Sequence, residues 1–280
     1  MRLFTVSDLH VDFKENREWI ETLSESEYKN DILLLGGDVC HNLERLQKTL
    51  LQIRSKFFKL FFVPGNHDLW LRDETYKDSL DKFETIRHFC RENDISIRPE
   101  RISNTWIVPI FSWYTQPGEG KDTLYWPKKG EDNNNRLWSD NFYIKWPNSK
   151  FPDSASRYFF DLNTTMLTEK INGSVISLSH FIPRKEMMFS QYPPNIDPEL
   201  IKKYDRHPEF NFSRVAGSSL IDQQIRQIGS RLHVYGHQHI NRDREIEGVR
   251  YVAHCLGYPN ERKRGVIKGI EQGLKELIII

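Results

Sequence analysis

The stretch ILLLGGD, residues Ile32–Asp38, decides the fold. Its first four residues are all apolar, and two glycines and an aspartate follow them directly. An uninterrupted apolar run of this length is typical of a strand that is covered on both faces, as in a parallel sheet between layers of helices. The glycines allow another backbone to approach closely. We therefore predict a buried strand over Ile32–Leu35 that places Asp38 at its carboxyl end.

A rhythm of strands and helices continues on both sides of this stretch. Apolar residues at helical spacing predict helices over about Lys14–Tyr28, 43–53, 80–90 and Ser156–Ile171. Short apolar runs predict strands over Leu3–Val6, Phe57–Val63, Trp106–Phe111, Ser174–Ser179, Leu232–Tyr235 and Leu277–Ile280, with a hairpin near Gly248. This alternation predicts an α/β fold built on a parallel, buried sheet.

Side chains that bind metals follow five of these strand-like runs. The segments are Asp8-Leu9-His10, Gly36-Gly37-Asp38, Gly65-Asn66-His67-Asp68, His180 and Gly236-His237-Gln238-His239. Loops at the end of a sheet bring such distant residues together. The set contains carboxylates, one amide oxygen and imidazoles, but no thiolate. That mixture suits two adjacent hydrolytic divalent cations better than a structural zinc.

The spacing of these residues fits a pair of cations. Asp8 and His10 are two positions apart, so both can turn to one cation just after a strand. Asp38 can bridge two cations with its two oxygens. His237 and His239 are also two positions apart, so one can face each cation.

Such a pair of cations indicates how a phosphate ester would be cleaved. Asn66 offers a neutral amide oxygen, which is tolerable where negative charge is already plentiful. Two cations about 3.5–4 Å apart would hold a hydroxide between them, and this hydroxide would attack phosphorus in line. His67 follows the ligand Asn66 and would donate a proton to the leaving group.

Composition and charge give no support to several other classes of protein. The chain has 280 residues, 38% hydrophobic and 28% charged, with a formal net charge of +1. This gives no overall argument for a nucleic acid or a membrane surface. Three cysteines without a CxxC pair predict a reducing compartment. A strand begins at Arg2, which leaves no room for a signal peptide, and no apolar run approaches the roughly 20 residues of a membrane span. We expect a cytoplasmic protein with no membrane partner.

The elements indicate one domain over residues 1–280 with two insertions. The first, about 112–153, has no clear period and contains four tryptophans, which argue against simple disorder. It fits either a lid packed on its own aromatic rings or a cap that recognises substrate, and the two are compatible. The second insertion, about 183–210, is rich in proline. We expect both insertions to govern specificity.

The ordered motifs D-x-H, GD, GNHD, H and GHxH resemble those of the calcineurin-like metallophosphoesterase family. Every element is present and in the family's order, from Asp8 to His239. The resemblance implies a four-layer αββα sandwich, in which two mixed β-sheets flanked by helices carry a dinuclear metal site at one edge. It also implies the ligand shares. One metal would take Asp8, His10, Asp38 and His239, and the other would take Asp38, Asn66, His180 and His237. His67 matches the family's substrate-contacting acid.

The sequence departs from the protein phosphatases of this family at two positions. Those enzymes read GDxxDRG and GNHE, whereas this chain has His41 in place of the second aspartate and Asp68 in place of the glutamate. The group that orients His67 is therefore open, and a protein phosphatase is disfavoured. His41 could touch the substrate site or be an ordinary loop residue. Asp68 could support a metal ligand or simply form the turn. Arg184 could bind a substrate phosphate in a bidentate manner or form a surface salt bridge.

The sequence thus predicts a metallophosphoesterase that hydrolyses a small phosphorylated metabolite or nucleotide, with ester type and oligomeric state left open. Mn²⁺, Fe²⁺ and Zn²⁺ all suit the nitrogen and oxygen ligands. A nuclease acting on DNA or RNA is the first alternative, although a net charge of +1 does not favour it. A non-catalytic scaffold of the same fold is the second, although no ligand position is missing.

Overall fold

The computed structural model describes residues 1–72, 76–147, 154–167, 171–190 and 207–280. The strands are β1 Arg2–Val6, β2 Ile32–Leu35, β3 Lys59–Phe62, β4 Ile95–Ser96, β5 Glu100–Ile102, β6 Thr105–Pro109, β7 Ser174–Leu178, β8 Leu232–Tyr235, β9 Arg242–Ile246, β10 Val249–Ala253 and β11 Lys275–Ile279. The helices are α1 Lys14–Thr22, α2 Leu43–Arg54, α3 Ser79–Glu92, α4 Asp140–Tyr143, α5 Ala155–Met166, α6 Ser219–Gln227 and α7 Pro259–Lys263.

Two mixed sheets form the framework. The first has the order β11-β1-β2-β3-β4, in which β1 to β4 run parallel and β11 lies antiparallel against β1. The second has the order β5-β6-β7-β8-β10-β9, with parallel pairs from β6 to β10 and antiparallel edge strands β5 and β9. Helices flank the sheets, so the predicted fold class is confirmed.

The apolar stretch that decides the fold lies where the pattern predicts. Every residue of β2 is fully buried, as expected for a strand covered on both faces. Residues of both sheets belong to one hydrophobic cluster, and Phe83 of α3 contacts Phe111 and Phe159 edge to face at 5.0 and 5.1 Å. Edge-to-face packing is a preferred geometry for aromatic pairs.

Two helix ends differ from the prediction, since the helix predicted over Ser156–Ile171 ends at Met166, and α1 also ends early. The apolar pattern predicts a helix from Lys14 to Tyr28, but α1 ends at Thr22. The hydroxyl of Ser24 accepts hydrogen bonds from the backbone N–H groups of Ser26 and Glu27, and such a local turn competes with the helix.

The described parts of the two insertions pack onto the body of the protein. Trp113 and Tyr114 are buried in the core, and Trp138 and Trp146 pack against it. The short helix α4 lies in this first insertion, and residues 148–153 and 191–206 lie outside the described residues. Whether the chain is one domain with insertions stays a prediction. Among the described residues, no helix has the length and apolar character needed to cross a membrane.

Candidate active site

The two sheets meet at the edge that carries the predicted ligands. Ser7, just after β1, pairs in parallel with Cys255, just after β10. The turn after β1 also bonds to the turn after β2, because the backbone N–H groups of Asp8 and His10 donate to Gly37 and Asp38 at 2.8 and 3.0 Å. These bonds hold residues that are far apart in sequence at one place.

Five of the seven predicted ligands have a left-handed backbone. The φ angles are 54° at Asp8, 41° at His10, 54° at Asp38, 74° at His237 and 54° at His239. Residues other than glycine rarely adopt this region, and such strain clusters at functional sites because the surrounding structure must hold it in place. The tight turns aim successive side chains into a common space at the strand ends.

The first ligand group contains Asp8, His10 and His239. The Nε2 atoms of His10 and His239 lie 2.9 Å apart, and His239 Nε2 lies 3.4 Å from an oxygen of Asp8. Ligand atoms about 2.0–2.2 Å from one cation lie roughly 3 Å from each other. The separations therefore fit a shared cation.

The second ligand group contains Asp38, His180 and His237. Asp38 Oδ2 lies 3.5 Å from His180 Nε2 and 3.9 Å from His10 Nε2, so this one oxygen faces both groups. The amide oxygen of Asn66 lies 3.2 Å from His180 Nε2. The structure thus brings all seven predicted ligands to one edge, with Asp38 between the two halves.

Three of the imidazoles are fixed by their second ring nitrogen. His180 Nδ1 lies 2.8 Å from the carbonyl of Gly36, and His237 Nε2 lies 3.0 Å from the carbonyl of Val215. His239 Nδ1 lies 2.7 Å from a carboxylate oxygen of Glu261. Oxygen partners of this kind select the tautomer that leaves the other nitrogen free for a metal.

The electrostatics also fit cations. Burial, with the nearby carboxylates of Asp68 and Asp8, raises the pKa of Asp38 well above its usual range. Burial lowers the pKa of His10 and His237 well below the usual value, which favours neutral imidazoles. At His239, burial acts to lower the pKa, but the hydrogen bonds to Asp8 and Glu261 outweigh it and raise the pKa to about 10, so a cation would have to displace that proton. The imidazoles and crowded carboxylates together form a donor set that suits hard or borderline divalent cations.

His67 lies against this donor set, with its ring centroid 4.6 Å from that of His10, and its side chain could complete a further ligand group with His10 and Asp38. Its Nε2 atom lies 3.9 Å from Asp38 Oδ2 and 3.4 Å from the hydroxyl of Tyr258. Its ring stacks on Trp70 with centroids 3.6 Å apart and planes 29° apart. Trp70 and Tyr258 therefore orient His67, which the sequence left open.

Asp68 organises two of the ligand turns. Its buried carboxylate accepts backbone N–H groups of Asp38, Val39, Cys40 and Gly65 at 2.8–3.0 Å. Burial raises the pKa of Asp68 to about 6, although these four donors act in the opposite direction. Of the two roles considered from sequence, the structure favours support of the metal ligands.

His41 and Arg184 are engaged with carboxylates. His41 Nδ1 lies 2.8 Å from Asp12 Oδ1, and the Asp12 carboxylate also accepts the thiol of Cys40. Arg184 forms ion pairs with three acidic residues, Glu186 at 2.9 Å, Asp222 at 3.3 Å and Glu247 at 2.8 Å. The structure therefore favours the salt-bridge alternative for Arg184.

Sequence reasoning missed three residues that contact the site. Glu261 accepts the backbone N–H of Tyr258 at 2.8 Å at the start of α7, but the N-cap is not a serine or threonine, so the sequence carries no capping-box signal for it. Tyr258 had no motif of its own. Asp140, whose carboxylate bonds to Asn66 and Trp70, lies in a segment without any period.

Comparison with known proteins assigns the family. The model of the calcineurin-like phosphoesterase family matches residues 1–241. The chain therefore belongs to the calcineurin-like phosphoesterase family, and the predicted class of enzyme, a metallophosphoesterase, is confirmed. The family uses divalent metals, which agrees with the donor set described above.

Two further comparisons concern a protein of Mycobacterium tuberculosis. A curated relative described as the acyl-carrier-protein phosphodiesterase PptH is 25% identical over 276 residues, covering 94% of this chain and 79% of the relative. The crystal structure of the phosphopantetheinyl hydrolase PptH covers 100% of this chain and 96% of that one, with a TM-score of 0.73 and 21% identity. The likeness to this solved structure confirms the fold.

Proposed function

We propose that this chain is a phosphodiesterase that cleaves the ester joining a phosphopantetheinyl group to a carrier protein, using two divalent cations. The observation that carries the reaction class is the position of Asp38 Oδ2, which lies 3.5 Å from His180 in one ligand group, 3.9 Å from His10 in the other and 3.9 Å from His67 Nε2. The substrate rests on the likeness to the acyl-carrier-protein phosphodiesterase over 94% of the chain.

The seven predicted ligands divide into two sets around Asp38. One cation would be held by Asp8, His10, Asp38 and His239, and the other by Asp38, Asn66, His180 and His237. The chemistry that two such cations supply is the activation of water and the neutralisation of charge on phosphoryl oxygens. Mn²⁺, Fe²⁺ and Zn²⁺ all suit these ligands.

His67 is the proposed proton donor to the leaving oxygen. Its side chain is 13% exposed, whereas that of His180 is fully buried, so a substrate can reach it. Burial lowers the pKa of His67 well below its usual value, as does the neighbouring His239. A bound phosphodiester brings negative charge next to the ring, and this charge favours the protonated form that donates.

Aromatic rings near the site suit a substrate with an organic arm. Phe13 is 41% exposed, and its ring centroid lies 5.4 Å from that of Tyr258. Phe142, 66% exposed, lies 6.5 Å from Tyr143, whose ring is 5.2 Å from Trp70. Phe13 thus offers apolar surface next to the Tyr258 ring, which an organic arm could cover and a free phosphate could not.

The alternatives receive less support. A nuclease needs many cationic contacts to phosphates, and the net charge of +1 gives no basis for them. A scaffold that has lost its metals is disfavoured because all seven ligand side chains and His67 are present and face one another in the described residues.

The test compares two generic esters in the presence of Mn²⁺. The purified protein is assayed on bis-p-nitrophenyl phosphate and on p-nitrophenyl phosphate, with Asp38→Asn as the matched variant. We expect cleavage of the diester that is lost in Asp38→Asn. Cleavage of the monoester alone would contradict a phosphodiesterase. If the protein binds no metal after incubation with Mn²⁺, this would contradict the catalytic proposal altogether and favour a scaffold.

A further inference from the structure

Asp140 is a buried carboxylate that reaches the site from the first insertion. It begins α4, and 2% of its surface is exposed. Its Oδ1 atom accepts hydrogen bonds from Asn66 Nδ2 at 2.9 Å and from Trp70 Nε1 at 2.6 Å. Its Oδ2 atom accepts the hydroxyl of Tyr114 at 3.2 Å. None of these contacts is needed to form α4 itself.

The first contact fixes which end of the Asn66 amide faces the ligand group. An ionised carboxylate only accepts hydrogen bonds, so the Asn66 amide must turn its NH₂ group toward Asp140. Its oxygen then points to the opposite side, where it lies 3.2 Å from His180 Nε2. Without this partner, the amide could present either its oxygen or its NH₂ group, and the NH₂ group is no metal ligand.

The second contact fixes the ring on which His67 lies. The Trp70 indole is 7% exposed and is held by its N–H group. His67 stacks on that indole at 3.6 Å. A rotation of the indole would therefore displace the imidazole from the place where its Nε2 atom faces Asp38.

We propose that Asp140 is a positioning residue that sets both the oxygen of Asn66 and the ring plane of His67. One side chain of the insertion thus couples a ligand of the second cation to the proton donor. The inference rests on the proposed function, since it assigns to Asn66 and His67 the roles given above. It assigns the insertion a part in building the catalytic centre, beyond any part in recognising substrate.

Metal binding, measured without substrate, tests the contact between Asp140 and Asn66. Mn²⁺ is titrated into the metal-free protein by calorimetry for wild type, for Asp140→Ala, which removes the oxygen that accepts from both Asn66 and Trp70, and for the control Tyr114→Phe, which removes the Oδ2 partner and leaves Asn66 and Trp70 bonded. Lost support for a metal ligand typically weakens binding about 10–100-fold. We expect a loss of that size for one of the two equivalents in Asp140→Ala, with the other equivalent unchanged and Tyr114→Phe close to wild type.

The dependence of kcat on the leaving group tests the contact between Asp140 and Trp70, with a milder variant. Trp70→Phe keeps an aromatic ring but removes the N–H group. We expect both Mn²⁺ equivalents to bind as in wild type. We also expect kcat to fall about 10-fold on an alkyl phosphodiester, which needs a proton donor, and to stay near wild type on bis-p-nitrophenyl phosphate. This variant keeps the proposal testable if Asp140→Ala does not fold.

The outcomes separate the inference from the proposed function. A wild type that binds fewer than two Mn²⁺ ions would contradict the dinuclear site and the inference together. A wild type that binds two, with Asp140→Ala binding both at wild-type affinity, would overturn the inference and leave the proposed function intact. Equal loss of both equivalents in Tyr114→Phe would also overturn it, because the effect would then be one of general packing.

Discussion

Removing the carboxylate of Asp68 should destabilise the protein far more than removing an ordinary helix cap. In Asp68→Ala, four buried backbone N–H groups lose their acceptor, those of Asp38, Val39, Cys40 and Gly65. A buried donor left without a partner costs about 1–3 kcal/mol. At the low end of that range, the four together give a loss of about 4 kcal/mol.

The matched control is Asp78→Ala at the start of α3. The carboxylate of Asp78 accepts one backbone N–H, that of Asp81, at 2.9 Å. Loss of such a cap costs about 1 kcal/mol. The pair of variants therefore compares four orphaned donors with one, on side chains of the same type.

The assay is urea unfolding followed by circular dichroism at pH 7.5. Chelator is present throughout, so that lost metal binding does not add to the change in stability. We expect Asp68→Ala to lower the free energy of unfolding by about 4 kcal/mol and Asp78→Ala by about 1 kcal/mol. A loss in Asp68→Ala no larger than that in the control would refute the reasoning, since the four hydrogen bonds would then carry no net stability.

Three further predictions concern chemistry, space and pH. His67→Gln should lower kcat about 10²–10⁴-fold on an alkyl phosphodiester but far less on bis-p-nitrophenyl phosphate, whose leaving group needs no proton; equal losses on both would argue against a proton donor. Gly65→Ala should abolish binding of at least one Mn²⁺ in a calorimetric titration, because the new Cβ would overlap the Asp38 carboxylate and lie 2.7 Å from His180 Cε1; unchanged stoichiometry would contradict this. Burial acts to raise the pKa of Glu131, but hydrogen bonds that include one from Arg214 outweigh it and lower this pKa from 4.5 to about 2. Its stabilising effect should therefore be complete above about pH 4.5 and be lost as the pH falls toward 2, so the stability difference between wild type and Glu131→Gln should shrink over that range.

The ligands were accessible from sequence because they lie at the ends of strands. The apolar run Ile32–Leu35 and the position of Asp38 after it were both predicted, and β2 is where the pattern placed it. The turn at Glu247-Gly248 likewise has positive φ at both residues, 50° and 78°, as the predicted hairpin requires. In each case a local pattern of two to seven residues is enough to predict the strand or turn.

The supporting residues were not accessible, because tertiary contacts alone bring them to the site. Asp140 is 74 positions from Asn66, and Glu261 is 22 positions from His239. Asp12 pairs with His41, and its negative charge partly opposes the lowering of the His67 pKa that burial causes. No spacing rule links such positions, so they emerge only when the chain is folded.

The most direct test of the central claim follows oxygen from water into product. A carrier protein with its phosphopantetheinyl arm is incubated with the Mn²⁺-loaded protein in H₂¹⁸O, and both products are weighed by mass spectrometry. Attack of water on phosphorus predicts that the released arm gains one ¹⁸O in its phosphate and that the carrier is unlabelled, with no release by Asp38→Asn. Label in the carrier hydroxyl, or no release by protein that holds two metal ions, would contradict the account.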